Sequence, residues 1–271
     1  MEDWRGDAVW SDDDESVAAV YQYFEGKNTI THIKKRNYAS EVHIFNAPGA
    51  PNLGQRRVLD RSPGRIDQLF FMKREGYLIV RRVELLPDET DGLNVFSRFS
   101  VDKVSLDGRV TSLGRVRAQS RISCDENGQS AYSIDHPISV IPSPDGALLA
   151  KVETETSCQS VRARLTFLEA DSLEVLEGPI DIFSPETIEQ PSTYAWQSDG
   201  RFAAIATFFG IEGESYAPGT PPQRIRVDDY GCFYPSTTSS SVSADGAVVT
   251  MQDGRPIISQ NEPDQVSFGC P

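Results

Sequence analysis

Ser143-Pro144-Asp145-Gly146-Ala147-Leu148-Leu149-Ala150 is an Asp-Gly turn running straight into an apolar strand. It returns as Ser198-Asp199-Gly200-Arg201-Phe202-Ala203-Ala204-Ile205-Ala206 and as Ser243-Ala244-Asp245-Gly246-Ala247-Val248-Val249-Thr250. Asp-Gly between two apolar runs signals a hairpin, because tight hairpin turns need positive φ. The turn glycines are spaced 54 and then 46 residues apart. A four-stranded propeller blade takes roughly 40–50 residues, so the spacing points to a repeat architecture.

Working outward, the clearest unit runs Ile138–Ser143, turn, Ala147–Val152, then Arg164–Leu168 and Leu173–Ile182. Two weaker units precede it. Ala8-Val9-Trp10-Ser11-Asp12-Asp13-Asp14 leads into Val17–Phe24, with Asp in place of the turn glycine. Asp tolerates the left-handed region, so the replacement is mild. Asp67–Met72, Glu75-Gly76 and Tyr77–Glu84 read as another hairpin, continued by Phe99–Ser105 and a turn at Asp107-Gly108. Gly76, Gly146, Gly200 and Gly246 are expected at equivalent turns. Val, Ile, Phe, Tyr and Thr dominate these runs, as strands prefer, and no sustained 3.6-residue period competes. Trp10, Phe70, Phe71 and Trp196 are expected to pack between sheets.

The expected fold is all-β, a single β-propeller domain over 1–271 with about five four-stranded blades, or six. Blades fall near 7–62, 65–114, 136–184, 192–235 and 238–270. Residues 115–135 form an insertion or a half-blade, because Asn127-Gly128 lies too close to Gly146 for a full one.

The unit aromatic–x–Ser–(Pro)–Asp–Gly–x–apolar–Ala, followed by a strand such as Leu165-Thr166-Phe167-Leu168, resembles the TolB-like propeller repeat, a relative in shape of WD40 propellers. The full WD40 signature, Gly-His and Trp-Asp in each blade, is missing. The resemblance implies scaffolds, peptidase accessory domains or lectin-like proteins. It also places long connections on one face: Glu25–Ser40, Pro87–Leu93, Glu153–Arg162 and Gly210–Gln223, with Pro48–Gly64 if it joins blades. Long loops on a rigid scaffold are the usual carriers of binding.

Composition narrows the function. Net charge is −14, and it is uneven: residues 1–135 hold 19 Lys+Arg against 21 Asp+Glu, residues 136–271 hold 7 against 19. An acidic surface repels phosphate, which disfavours nucleic acid and anionic membranes. No apolar run approaches the ~18 residues of a membrane helix, so no transmembrane segment is expected. The acidic start Met1-Glu2-Asp3 lacks the form of a signal peptide.

No catalytic, cofactor or metal motif stands out. His136 precedes a proline, and no G-x-S-x-G elbow accompanies it. His32 and His43 flank a basic loop and lack a third zinc ligand nearby. Asp12-Asp13-Asp14-Glu15 lacks the spaced ligands of a calcium loop and reads as a turn exposed to water. Asp7, Asp67, Asp135 and Asp228-Asp229 are the carboxylates that a glycan-cleaving propeller could turn into a central channel. Catalytic, cofactor and metal residues are therefore expected to be none.

The leading expectation is a non-catalytic scaffold that binds a protein partner through the long-loop face, with Lys34, Lys35, Arg36, Tyr38, Glu212, Glu214 and Tyr216 at the contact. The alternative is a glycan-binding or glycan-cleaving propeller. Cys124, Cys158, Cys232 and Cys270 contain no C-x-x-C pair. They fit two disulfides, Cys124–Cys158 and Cys232–Cys270, and equally four thiols. Oxidised, they imply a periplasmic or secreted protein whose leader is absent from this chain; reduced, a cytoplasmic one.

Overall fold

The structure is a computed structural model that describes residues 8–25, 37–46, 56–86, 96–119, 121–124, 130–132, 137–157, 161–182, 193–197, 199–206, 212–226, 247–252 and 255–260. All regular structure among them is β, and most of it lies in four-stranded antiparallel sheets. The first sheet comprises β1 (Ala8–Trp10), β2 (Ser16–Glu25), β3 (Asn37–Asn46) and β4 (Arg56–Pro63). The second comprises β5 (Arg65–Met72), β6 (Tyr77–Leu85), β7 (Phe96–Ser105) and β8 (Val110–Gln119). A short hairpin of β9 (Arg121–Ser123) and β10 (Ser130–Tyr132) follows.

The third sheet contains β11 (Ile138–Pro142), β12 (Leu148–Thr156), β13 (Val161–Glu169) and β14 (Val175–Ile182). The fourth contains β15 (Thr193–Trp196), β16 (Phe202–Ala206), β17 (Glu212–Ala217) and β18 (Thr220–Arg226). A hairpin of β19 (Ala247–Gln252) and β20 (Arg255–Gln260) closes the described chain. In every four-stranded sheet the spatial order equals the chain order. That plain meander is the topology of a propeller blade. The chain divides into two compact units: one holds the first two sheets and β19–β20, the other β9–β10 and the last two sheets.

The turns explain why the repeat is visible in the sequence. In the β11–β12 turn the Ser143 hydroxyl donates to Asp145 Oδ1 (2.6 Å) and accepts from the Leu148 amide (2.9 Å). Asp145 Oδ1 also accepts from the Ala147 amide (3.1 Å), and Gly146 takes φ 71°. The β1–β2 turn repeats this bond for bond. Ser11 donates to Asp13 Oδ1 (2.5 Å) and accepts from the Ser16 amide (3.0 Å), while Asp13 Oδ1 accepts from the Glu15 amide (3.0 Å). Asp14 stands at the glycine position with φ 55°, as its short polar side chain permits. Gly76 and Gly200 take φ 76° and 80° at the corresponding turns of the second and fourth sheets. Gly246 lies outside the described residues.

In the first unit, Val9, Ala18, Val20 and Val42 pack on Ile66, Leu69, Phe71, Leu78, Val80 and Val104. Ala8, Trp10, Val17, Ala19, Tyr21 and Phe45 form a second apolar layer on the other face of the first sheet. Burial on both faces is why Val17–Tyr21 reads as a continuous apolar run rather than an alternation. Two buried polar side chains fix the passage between these sheets. Gln22 Nε2 donates to the Ile66 carbonyl (3.0 Å), and the Ser40 hydroxyl to that of Gly64 (2.6 Å).

In the second unit, Trp196, Phe167 and Phe202 meet at ring distances of 5.3–6.5 Å. Outer strand β14 presses closely on β13. Gly178 has φ 121°, and a Cβ there would lie 2.7 Å from the Leu165 carbonyl oxygen. No side chain fits, which gives this glycine its role.

Three sequence expectations are corrected. Gly210–Gln223 is not a long loop: residues 212–217 and 220–226 are strands joined by a tight turn at Pro218-Gly219. Glu153–Arg162 shrinks to residues 157–160, since β12 and β13 take the rest. Pro48–Gly64 contains β4, the outer strand of the first sheet.

Candidate functional site

The Ser11–Glu15 turn is not simply exposed to water, as its acidity suggested. It is docked on the Lys73–Gly76 turn of the next sheet. The Asp12 amide donates to the Phe71 carbonyl (3.1 Å). Asp12 Oδ1 accepts from the Lys73 amide (2.8 Å) and the Arg74 amide (3.2 Å). Lys73 Nζ lies 3.1 Å from Asp13 and 3.1 Å from Glu15. Burial alone would raise the Asp13 carboxyl, but hydrogen bonds from Ser11, the Glu15 amide and Lys73 hold it below its usual range. Burial would lower Lys73, and the bonds to Asp13 and Glu15 outweigh it and raise the ammonium. Glu75 belongs to the same turn, and burial first, with Asp12 nearby, pushes its carboxyl up from 4.5 to about 7.

Two ion pairs are buried in the second sheet. Asp67 falls at a bulge in β5, where the register shifts between Ile66 and Gln68, and its Oδ1 accepts from Arg81 Nε (2.8 Å). On the opposite face of β6, Arg82 Nη1 donates to Asp102 Oδ2 (3.0 Å), with side chains 4% and 8% exposed. Burial pulls the Arg82 guanidinium below its usual range, opposed by Asp102. Each carboxylate is thus occupied by a guanidinium. Of the glycan-cleaving candidates, Asp67 is the one described, and it serves as an anchor; Asp7, Asp135, Asp228 and Asp229 lie outside the described residues.

His43 lies within β3, fully buried, with Nε2 2.8 Å from Glu41 and its ring 4.2 Å from that of Tyr21. Among the described residues no group of three or more His, Cys, Asp or Glu side chains is placed to hold a metal.

The expected contact residues scatter. Lys34, Lys35 and Arg36 lie outside the described residues, in the stretch between β2 and β3. Tyr38 is the second residue of β3, paired with Phe24. Glu212 begins β17, and Glu214 and Tyr216 lie further along it. Tyr216 is buried, its hydroxyl bonded to Glu214, so it packs the fourth sheet rather than tipping a loop. Cys124, just after β9, is not a free thiol. Cys158, Cys232 and Cys270, and with them both expected pairings, lie outside the described residues.

Arg201 was missed. It follows the Asp199-Gly200 turn and reaches the Ser215 hydroxyl (2.9 Å), the Ser215 carbonyl (2.8 Å), the Thr220 hydroxyl (3.0 Å) and the Pro221 carbonyl (3.2 Å). Its signal was an arginine right after the first turn, where the equivalent turns carry Glu15, Tyr77 and Ala147.

The connections between second and third strands remain as candidate binding segments. They span 26–36, 86–95, 157–160 and 207–211, all at the sheet end opposite the Asp-Gly turns. In the second sheet this is the long connection; in the first sheet residues 47–55, at the Asp-Gly end, are nearly as long as 26–36.

No family model matches the chain, and no curated protein matches it. Among solved structures it is similar to an acylaminoacyl peptidase from Pyrococcus horikoshii: TM-score 0.49, 10% identity, 83% of this chain and 32% of that one. A puromycin hydrolase gives TM-score 0.42 and 15% identity, over 94% of this chain and 33% of that one. A mannose phosphorylase from Leishmania mexicana gives 0.37 and 14%, over 83% and 62%. The chain spans about a third of the length of the first two. Likenesses this distant carry no residue role across.

Proposed function

We propose that the chain is a non-catalytic β-propeller scaffold of TolB-like blades that binds a protein partner through the sheet ends opposite its Asp-Gly turns. The observation that supports this most is the length of the β2–β3 and β6–β7 connections beside tight first turns. Asp-Gly turns are kept tight by their own side-chain bonds, whereas residues 26–36 and 86–95 exceed what a hairpin needs. Lys34, Lys35 and Arg36 occupy the first of these, a basic spot on a chain of net charge −14. That composition suits an acidic surface on the partner, steering encounter more than adding affinity.

The test is the triple substitution Lys34→Glu, Lys35→Glu, Arg36→Glu in a tagged chain. Capture from native lysate should lose the partner that the unaltered chain retains, at unchanged thermal stability. Capture of the same proteins by both forms would overturn the proposal.

We further propose that Cys124–Cys158 and Cys232–Cys270 are disulfides and that the protein works outside the cytoplasm, where such bonds persist. The absence of a free thiol at Cys124 supports this. Titration of the denatured, unreduced chain should find no thiol; four would end the idea.

A further inference from the structure

We propose that copies of this chain associate through two complementary outer strands, the basic β8 of one copy lying beside the acidic β14 of another. Among the described residues the large apolar side chains left in water are Val110, Val175 and Leu176, 50%, 62% and 50% exposed. All of them lie on these two strands, Val110 at the start of β8 and Val175-Leu176 at the start of β14. Each strand is the last of its four-stranded sheet, with no further described strand paired on its outer edge. Apolar residues gathered on such edges, rather than scattered over the surface, mark where another chain can add.

Charge selects the occupant. β8 carries Arg115 and Arg117, both exposed. Arg117 lies over the Phe96 ring, 4.8 Å from its centre, which steadies the guanidinium. At the head of the strand Arg109 pairs with Asp107, so the two later arginines set its sign. β14 is the opposite case. No lysine or arginine occurs between Arg164 and Arg201, where eight Asp and Glu residues do. Glu177 is taken by the Gly219 amide (2.5 Å). Glu174, just before the strand, is exposed, and Asp181, near its end, is 69% exposed and 4.0 Å from Arg164. Two β8 edges would set like charges against each other, as would two β14 edges; one of each sets opposite charges together beside apolar contacts.

This contact lies apart from the connections proposed above to hold a partner. Val110 follows the β7–β8 turn and Val175 the β13–β14 turn, at the sheet ends shared with the Asp-Gly first turns. Pro179 in β14 has no amide to donate, so side chains rather than a continuous ladder carry the contact. Small apolar burial with exposed ion pairs gives a weak association that salt loosens. The two patches differ, so the contact is heterologous, and each copy offers one strand of each kind.

Sedimentation velocity of the purified chain tests this. At about 0.05 M salt the mass should rise above that of one copy at submillimolar concentration, and association should weaken about tenfold at about 0.5 M. Arg115→Glu with Arg117→Glu should leave single copies, and so should Glu174→Arg with Asp181→Arg. An equal mixture of the two reversed forms should associate again, because each edge then meets its opposite. Unchanged thermal midpoints establish that both reversed forms are folded. Leu176→Ser keeps every charge and should still weaken association. Single copies of the unaltered chain throughout that range would overturn the proposal. So would association that survives either reversal or Leu176→Ser undiminished, or a mixture of folded reversed forms that stays apart.

Discussion

Replacing Asp102 by alanine should destabilise the first unit by about 3–5 kcal/mol, because it strands the buried Arg82 guanidinium. Arg82 projects from β6 into the layer between the first two sheets, beside Leu78 and Val80 on the same face. Asp102, opposite Val80 on β7, meets it at 3.0 Å. Both side chains are almost wholly buried, so the pair rather than water satisfies the two charges. The midpoint of urea unfolding should fall accordingly, and the thermal midpoint by roughly 10 °C. A paired substitution, Arg82→Met with Asp102→Leu, should recover most of the loss, since a buried pair replaced by apolar groups of similar size is often neutral. A loss below about 1 kcal/mol for Asp102→Ala would mean that water reaches the guanidinium.

That pair shows where the sequence stops being readable. Tyr77–Glu84 is legible as a strand because Leu, Ile and Val surround the two arginines. Nothing in the run says that Arg81 reaches back to Asp67 on β5 while Arg82 reaches forward to Asp102 on β7. Adjacent residues of a strand face opposite ways, so their partners lie on opposite faces of the sheet, and no spacing rule says which neighbouring strand supplies them. The Asp-Gly turns are the opposite case. Ser143, Asp145 and Gly146 satisfy one another within six residues, so the pattern survives as a local word even where Asp14 replaces glycine.

The misreading of Gly210–Gln223 has a similar physical root. Glu212-Gly213-Glu214-Ser215 lacks branched residues, and Pro221-Pro222 cannot donate to a ladder, so the stretch reads as loop. β18 is an outer strand, where missing amides do no harm. Arg201, from a distant turn, ties Ser215 to Pro221 and supplies the cohesion that local propensity withholds. The same distance effect hid the docked turn. Asp12 and Lys73 are far apart in sequence, and only pairing the sheets brings an acidic turn onto a mixed-charge one.

The largest effect in the second unit is expected at Trp196, whose replacement by alanine should lower stability by about 3–5 kcal/mol. The indole is 3% exposed and touches both four-stranded sheets of that unit. It packs edge-on to Phe202, its cross-strand partner, at 5.3 Å, and tilts on Phe167 of β13 at 6.0 Å. Its Nε1–H donates to the Ile141 carbonyl on β11 (3.1 Å). One side chain thus supplies apolar area, ring contact and a bond between sheets. Trp196→Phe separates these parts. It keeps most of the packing and loses the bond, so it should cost about 1–2 kcal/mol. The loss of tryptophan near-ultraviolet dichroism and the urea midpoint measure both. If Trp196→Phe were as damaging as Trp196→Ala, the bond to Ile141 rather than the packed rings would hold the two sheets together.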